Sequence, residues 1–152
     1  MRKITFTIFI LFSFFRISAQ NSADSLAVET TLEELITVCN SVMPEGENGG
    51  EIIFERLAPY VLYTGADAAR KNKSGCDYNK VEDRKLVNGT GNTVKNWLEQ
   101  ISDFKVTKYQ LVKKDNLDWH CLTVSFKPVN GGKNKLFYFI KVKDKFLLGK
   151  ME

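Results

Sequence analysis

The residue in this chain best suited to proton transfer near neutral pH is its single histidine, His120. It alternates with Leu122, Val124 and Phe126, which predicts that it points toward the apolar side of a strand. Asp118 lies two residues earlier and could orient the imidazole of a general base. Two simpler roles remain open: a hydrogen-bonded histidine in the core or at its rim, and an aspartate that binds its own backbone in a turn. We keep His120 and Asp118 as candidate catalytic residues.

Aromatic side chains that could line a ligand pocket recur along the chain, because they combine a large contact area with a polar handle. Together with His120 they form our predicted ligand-binding set: Tyr60, Tyr63, Trp97, Tyr109 and Trp119. Trp97 lies on the apolar stripe of a predicted helix, where core packing is the competing interpretation. Trp119 and Tyr109 would instead mark a partner surface if they face outward.

Basic residues cluster within residues 65–79 and just after them, and this set could attract an anionic polymer or lipid headgroups: Arg70, Lys71, Lys73 and Lys80. Asp77, Glu82 and Asp83 interrupt this set, and the stretch has few hydrophobic residues. We therefore predict a solvated surface loop over residues 65–79.

The cysteines Cys39, Cys76 and Cys121 show no C-x-x-C motif and no zinc-ligand spacing with the one histidine. A small buried hydrophobe is the usual role of such a cysteine. The sequence therefore predicts neither a metal site nor a cofactor.

The N-terminus has the layout of a secretory signal peptide. Positive Arg2 and Lys3 precede an apolar run from Ile4 to Phe15, and small residues follow it. The run is too short for a lasting membrane anchor, which takes about 20 apolar residues. We predict a signal peptide over residues 1–20, an exported product that is periplasmic or extracellular, and no stable membrane insertion after the signal is removed.

Export would also change the charge balance. Loss of Arg2, Lys3 and Arg16 lowers the formal net charge from +4 to about +1. A nucleic-acid partner requires concentrated positive charge, so we expect no partner of this class. The remaining residues, 21–152, suit one domain with an adequate core.

Apolar spacing predicts helices in the first part of this domain. Leu32, Leu35 and Cys39 lie on one stripe, so a first helix is expected within residues 22–43. The stretch Thr31-Leu32-Glu33-Glu34 matches a capping box, which predicts that the regular helix begins there.

Two more helices are expected further along. One is short and closes at Pro59, and a short strand over residues 60–63 follows it. Val94 and Trp97 follow helical spacing, and Val87 lies seven residues before Val94. One long helix could therefore run through the two intervening glycines, each costing about 1 kcal/mol relative to alanine.

The last third of the chain predicts an antiparallel meander, because runs of alternating or branched apolar residues are separated by short turns. The strands are expected at 104–113, 119–127, 136–142 and 146–148, with the first turn at 115–118. In the first strand, alternation places Lys105, Thr107 and Tyr109 on one face. Helices first and a sheet last is an α+β layout in which the helices cover one face of the sheet.

The end of the chain carries a family resemblance. The stretch from Phe137 to Gly149 is an apolar strand, a tight charged turn and a short strand with an aromatic residue. It is similar to the final hairpin of many exported members of the nuclear transport factor 2-like superfamily, also called cystatin-like. Leu57-Ala58-Pro59-Tyr60 resembles the segment where the second helix of such domains meets the sheet. The resemblance covers residues 32–151 and implies a cone-shaped roll, with N-terminal helices packed on a curved antiparallel sheet.

The resemblance also implies a pocket between the helices and the concave face of the sheet. Some relatives use this pocket for cofactorless isomerase or dehydratase chemistry, while others bind small molecules, dimerise or act as accessory modules. Such a fold therefore does not choose a function. Enzymatic members place acidic and histidine side chains inside the cone, whereas this chain offers one histidine and no evident inward aspartate on its strands.

We expect an exported, non-enzymatic domain that binds a small ligand or a protein partner. Two alternatives stay open: a cofactorless lyase or isomerase built around His120, and a structural module that forms a homodimer through the outer face of the sheet. A cavity that opens onto His120, within hydrogen-bond reach of an Asp, Glu or Tyr, would favour the enzyme. A solvent-facing or fully packed His120 would remove the enzyme interpretation.

Overall fold

The computed structural model describes residues 3–41, 54–64, 67–98, 103–126 and 134–152, and for residues 3–21, 90–98 and 126 it describes only the backbone. In these segments the chain is α+β, with four helices followed by a four-stranded antiparallel sheet. The helices are α1 (Lys3–Asn40), α2 (residues 54–57, continued by the 3-10 turn Ala58–Tyr60), α3 (Ala68–Ser74) and α4 (Val81–Leu98). The strands are β1 (Phe104–Lys114), β2 (Leu117–Phe126), β3 (Lys135–Val142) and β4 (Lys145–Met151).

Helix α1 is unbroken from Lys3 to Asn40 and passes through the position at which the predicted signal peptide would end. The prediction that the regular helix begins at the Thr31 capping box is wrong. The Thr31 hydroxyl instead donates to the carbonyl of Ala27, 2.9 Å away, which is a bond that threonine makes inside a helix. No helix in the described part of the chain combines the length and the apolar character that a bilayer crossing requires.

Residues 65–79 do not form the predicted continuous loop, because α3 lies within them. Its alanine, arginine and lysine residues are good helix formers, and the helix is too short to show an apolar period. Gly75 ends it with a φ of 86°, a left-handed conformation that glycine adopts readily, and its N–H binds the carbonyl of Lys71 at 2.7 Å.

Helix α4 confirms the prediction of one long helix through the glycines at 89 and 91. Glu82 and Asp83 lie in its first turn, where negative charge interacts favourably with the helix dipole. Val87, inside this helix, is fully buried.

The meander prediction is confirmed: the strands follow the order β1-β2-β3-β4 and each pairs antiparallel with its sequence neighbour. The first turn is tighter than predicted, since Asp115 and Asn116 turn the chain with φ values of 55° and 59° and β2 already begins at Leu117. The strand predicted over residues 60–63 is reduced to one parallel bridge between Val61 and Leu148.

Strand β1 contains an irregularity that changes which side chains face the core. The register shifts between Val106 and Lys108, so Thr107 is an extra residue, as in a β-bulge. Val106 and Tyr109 consequently both pack against the core, while Lys105 and Thr107 are exposed. The prediction that Tyr109 shares a face with Lys105 and Thr107 is therefore wrong.

One hydrophobic core contains residues from the helices and from the sheet. Helix residues in it include Val28, Leu32, Leu35, Leu57 and Val87, and strand residues include Leu122, Val124, Phe137, Phe139 and Leu148. These side chains are buried to at least 98 %, so they supply much of the hydrophobic stabilisation. The predicted stripe on the first helix is confirmed for Leu32, Leu35 and Cys39, and its continuation at residues 42–43 lies outside the described residues. The predicted inward face of β2 is confirmed for His120, Leu122 and Val124, and the side chain of Phe126 lies outside the described residues.

Candidate functional site

A cavity of about 550 Å³ lies between the end of α2, helix α3 and the tip of the β3–β4 hairpin. Its volume is within the range of small-molecule sites, about 300–1,000 Å³. The apolar part of its lining consists of Phe54, Ala58, Pro59, Val61, Val142 and Leu147. Residues of α3, the two residues that follow it, the hairpin tip and Glu55 of α2 line the rest of it.

The elements around the cavity are held by backbone and amide contacts. The N–H of Leu62 donates to the carbonyl of Leu148 at 3.0 Å, which attaches the segment after α2 to β4. Asn72 of α3 binds the backbone of Tyr63 twice: its Oδ1 accepts from the N–H at 2.9 Å, and its Nδ2 donates to the carbonyl at 3.1 Å. The amide of Asn72 thus pairs with the chain as a neighbouring strand would, and it fixes α3 beside the cavity.

A buried ion pair lies at the wall of the cavity. Lys71 lines the cavity, and its ammonium donates to Oδ2 of Asp83 on α4. The two side chains are only 4 % and 1 % exposed. The same Oδ2 accepts the N–H of Asp77 at 2.8 Å, and the ammonium lies 5.4 Å from the centre of the Tyr63 ring. Among the described residues, Oδ1 of Asp83 is buried without a hydrogen-bond partner.

This environment keeps both members of the pair ionised at neutral pH. The hydrogen bond to Asp83 raises the pKa of Lys71 and outweighs the opposing effect of burial. Burial by itself would raise the pKa of Asp83, but the hydrogen bonds from Lys71 and from the Asp77 backbone, together with the ammonium charge, leave that pKa below its usual value. Lys71 is therefore a desolvated cation and not a member of a solvated loop.

Cys76 also lines the cavity. Burial, and secondarily the charge of Asp83, raise the pKa of its thiol. A thiol is nucleophilic as the thiolate, so this environment does not activate Cys76.

Five exposed charged residues complete the lining: the cations Lys73, Lys143 and Lys145 and the anions Glu55 and Asp144. Since Lys71 and Asp83 neutralise each other, these exposed groups leave the cavity surroundings with one positive charge in excess. The cavity therefore offers apolar walls, a buried ammonium and a cationic entrance.

The structure brings two of the predicted site residues together away from this cavity. The Tyr109 hydroxyl lies 2.8 Å from Nδ1 of His120. The His120 ring contacts the Phe146 ring edge to face, with 4.8 Å between centroids, and His120 is only 5 % exposed. Asp118 is exposed and lies opposite Lys113, with 4.0 Å between the charged atoms. His120 thus has the environment of a hydrogen-bonded core histidine.

Two charged residues near His120 belong to other elements. Asp24 of α1 accepts a hydrogen bond from Lys141 of β3 at 2.7 Å. Burial lowers the pKa of His120; Asp24 and Asp118 counteract this, while Lys141 reinforces it. The neutral ring, with its proton on Nε2, can then accept a hydrogen bond from the Tyr109 hydroxyl. Sequence reasoning missed Asp24, although its spacing of four residues from Val28 was the signal that it faces inward.

The other predicted residues lie apart from one another. Tyr60 packs against the core, and Tyr63 lies beside the Lys71 ammonium. Trp119 is on the opposite face of β2 from His120, where its ring meets that of Tyr138 with 6.4 Å between centroids. Trp97 belongs to α4, and its side chain lies outside the described residues. None of the six predicted ligand-binding residues is in the cavity lining, as far as the described part of the chain defines it.

Sequence reasoning did not predict the cavity. The sequence places Lys71 only in a solvated basic stretch, because neither of its neighbours, Arg70 and Asn72, is apolar, and it indicates Asp83 only as an acidic interruption of that stretch. In the described segments, no group of three or more His, Cys, Asp or Glu residues is placed to hold a metal ion. A scan of protein-family models, a search of curated proteins and a search of solved structures each found no match to this chain.

Proposed function

We propose that this chain is a non-enzymatic small-molecule-binding domain, exported after removal of residues 1–20, and that its ligand occupies the cavity beside Lys71. The observation that carries the proposal is the cavity itself: about 550 Å³ of space with an apolar wall and a buried cation on it. A concave, largely apolar surface with a few fixed polar groups is typical of ligand sites, in which the polar groups set the orientation.

The proposed architecture is a cone-shaped roll like that of the nuclear transport factor 2-like superfamily, with helices covering one face of the sheet. The shared core of α1 and strand residues supports this arrangement, as does the antiparallel meander. The cavity lies beside the tip of the β3–β4 hairpin, so the proposed ligand site is at one end of such a roll.

Binding is favoured over catalysis by the chemical state of the nearby groups. Lys71 is held as a cation by Asp83, and the raised pKa of Cys76 keeps it a thiol, so neither supplies a general base or a nucleophile. A lyase or isomerase would need its substrate to reach His120, whose ring is buried against Phe146. The tyrosine contact at His120 is explained by the requirement that a buried polar group be hydrogen-bonded.

A thermal-shift screen of small molecules tests the proposal, because a ligand selective for the native state raises its melting temperature. Ser74→Trp places a large ring at the cavity lining, and Asn79→Trp places the same ring on an exposed residue outside it. We expect hits that stabilise the wild type and Asn79→Trp but stabilise Ser74→Trp much less. The absence of hits, or hits that stabilise all three proteins equally, would contradict a ligand in this cavity.

A further inference from the structure

We infer that the ligand is an amphipathic organic anion, whose carboxylate or sulfonate group is bound by the Lys71 ammonium while its apolar body contacts the cavity wall. This inference rests on the proposed function and specifies its chemical class.

The hydrogen-bonding capacity of Lys71 favours a ligand with a negatively charged oxygen. An ammonium group has three N–H donors and no acceptor. One donor is directed at Asp83, and the centre of the Tyr63 ring lies 5.4 Å from the ammonium nitrogen. Lys71 forms part of the cavity lining, and we infer that one of its remaining N–H donors is directed to a molecule inside the cavity. A ligand oxygen with negative charge would form the strongest bond there, because the group is desolvated.

The position of Asp83 favours an anionic over a cationic ligand. It binds Lys71 and the Asp77 N–H, which restricts the lysine to one place on the wall. Asp83 is therefore a positioning residue. It is absent from the cavity lining, so its unpartnered Oδ1 does not offer a cationic ligand an open site among the described residues.

The other lining residues favour a ligand that carries both a negative charge and an apolar body. Lys73, Lys143 and Lys145 outnumber the acidic lining residues, and their excess charge attracts anions toward the entrance. Phe54, Val61, Leu147 and the other apolar wall residues require a ligand with a hydrophobic body. A small inorganic anion would leave that wall uncovered.

A matched pair of fluorescent probes tests the inference. The first probe, 8-anilinonaphthalene-1-sulfonate, and the second, N-phenyl-1-naphthylamine, share one aromatic skeleton and differ in the sulfonate group. We expect the folded wild-type protein to bind the sulfonate probe at least about tenfold more tightly than the neutral probe, as a charge-assisted hydrogen bond would give. The Ser74→Trp substitution should weaken the binding of both probes.

Three variants test which residue causes the preference for the sulfonate probe over the neutral probe. The double variant Lys71→Met/Asp83→Asn removes both charges together, and the new amide oxygen at position 83 retains an acceptor for the Asp77 N–H, so the fold should persist. It should lose the sulfonate preference while still binding the neutral probe. Lys73→Met, at the lining, should weaken sulfonate binding about twofold, and Lys85→Met, exposed and outside the lining, should not change it.

The outcomes separate this inference from the proposed function. The two probes could bind the wild type equally, with the binding of both abolished by Ser74→Trp. This result would support the cavity as a binding site and would overturn the inference that the ligand is an anion. A sulfonate preference that survives in the double variant would overturn the role of Lys71. Failure of both probes to bind would contradict the proposed function itself.

Discussion

Two buried polar pairs in this protein use different physical means to satisfy their hydrogen bonds. Lys71 and Asp83 are both charged, lie beside a cavity and join two helices. Tyr109 and His120 are held as a neutral pair, lie on adjacent strands and contact the Phe146 ring through the imidazole. The cavity opens beside the charged pair and not beside the neutral one.

Histidine is the residue type best suited to catalysis near neutral pH, yet His120 does not line the cavity. Burial lowers the pKa of His120 and favours its uncharged form, which packs at small cost. A buried ion pair costs desolvation that its Coulomb attraction only partly offsets. The charged pair holds Lys71 at the cavity lining, and the neutral pair is a hydrogen-bonded contact between adjacent strands.

The largest expected effect is that of Lys71→Met. The variant leaves the Asp83 carboxylate buried without its cation, and we expect the melting temperature to fall by roughly 10 °C. Circular dichroism on heating measures this. Lys71→Met/Asp83→Asn should recover most of the loss, since no buried charge remains. A single variant as stable as the wild type would show that the pair is not buried in solution.

Tyr109→Phe should have a smaller effect on stability and none on ligand binding. It removes one hydrogen bond of His120, which is worth about 1 kcal/mol in the free energy of unfolding. Urea denaturation gives this value, and titration with the sulfonate probe gives the affinity. An affinity that falls more than about threefold, or roughly 0.6 kcal/mol, would contradict the separation of the two regions.

The two pairs should also differ in their pH dependence. The folded pKa of His120 lies below 6.5, so below that pH the unfolded chain binds more protons and stability falls as the pH falls. The folded pKa of Asp83 lies below 3.8, so the contribution of the ion pair is lost only in more acidic solution. Between about pH 7.5 and 5.5, the free energy of unfolding should fall less in His120→Gln than in the wild type. An equal fall in both would mean that His120 does not titrate as described.

The smallest expected effect is that of Asp24→Asn. The Asp24–Lys141 pair is partly exposed, with side chains 15 % and 40 % accessible, so solvent screens it. We expect a loss of about 0.5 kcal/mol or less, further reduced at high salt. Chemical denaturation at two salt concentrations measures it. A loss above about 2 kcal/mol, beyond the range of exposed pairs, would show that α1 depends on this contact far more than the comparison implies.

The sheet and the long helices could be predicted from the sequence because their signals are periodic. Leu32 and Leu35 repeat at helical spacing, and His120, Leu122 and Val124 alternate, and all of these residues are buried. The β-bulge at Thr107 could not be predicted, because one extra residue leaves no compositional trace while it moves Tyr109 to the core side.

The cavity could not be predicted from the sequence. Among the described residues, His120 and the aromatic residues that the sequence offers as a ligand site lie outside its lining, although alternation correctly predicts that His120 is buried. The cavity depends on contacts between α3, the segment before it and the β3–β4 hairpin, which are distant in sequence. Lys71 in particular is an ordinary lysine in a polar stretch, and only its tertiary pairing with Asp83 makes it a buried cation.

Backbone amide chemical shifts, recorded while the sulfonate probe is titrated into the isotopically labelled protein, show directly whether the probe occupies the cavity beside Lys71. We expect the largest changes on α3 around Lys71, on residues 58–61 and on the hairpin tip at 142–147. We expect little change at Tyr109, His120 and Asp24. Largest changes around His120, or changes spread evenly over the chain, would contradict the assignment of binding to the cavity beside Lys71.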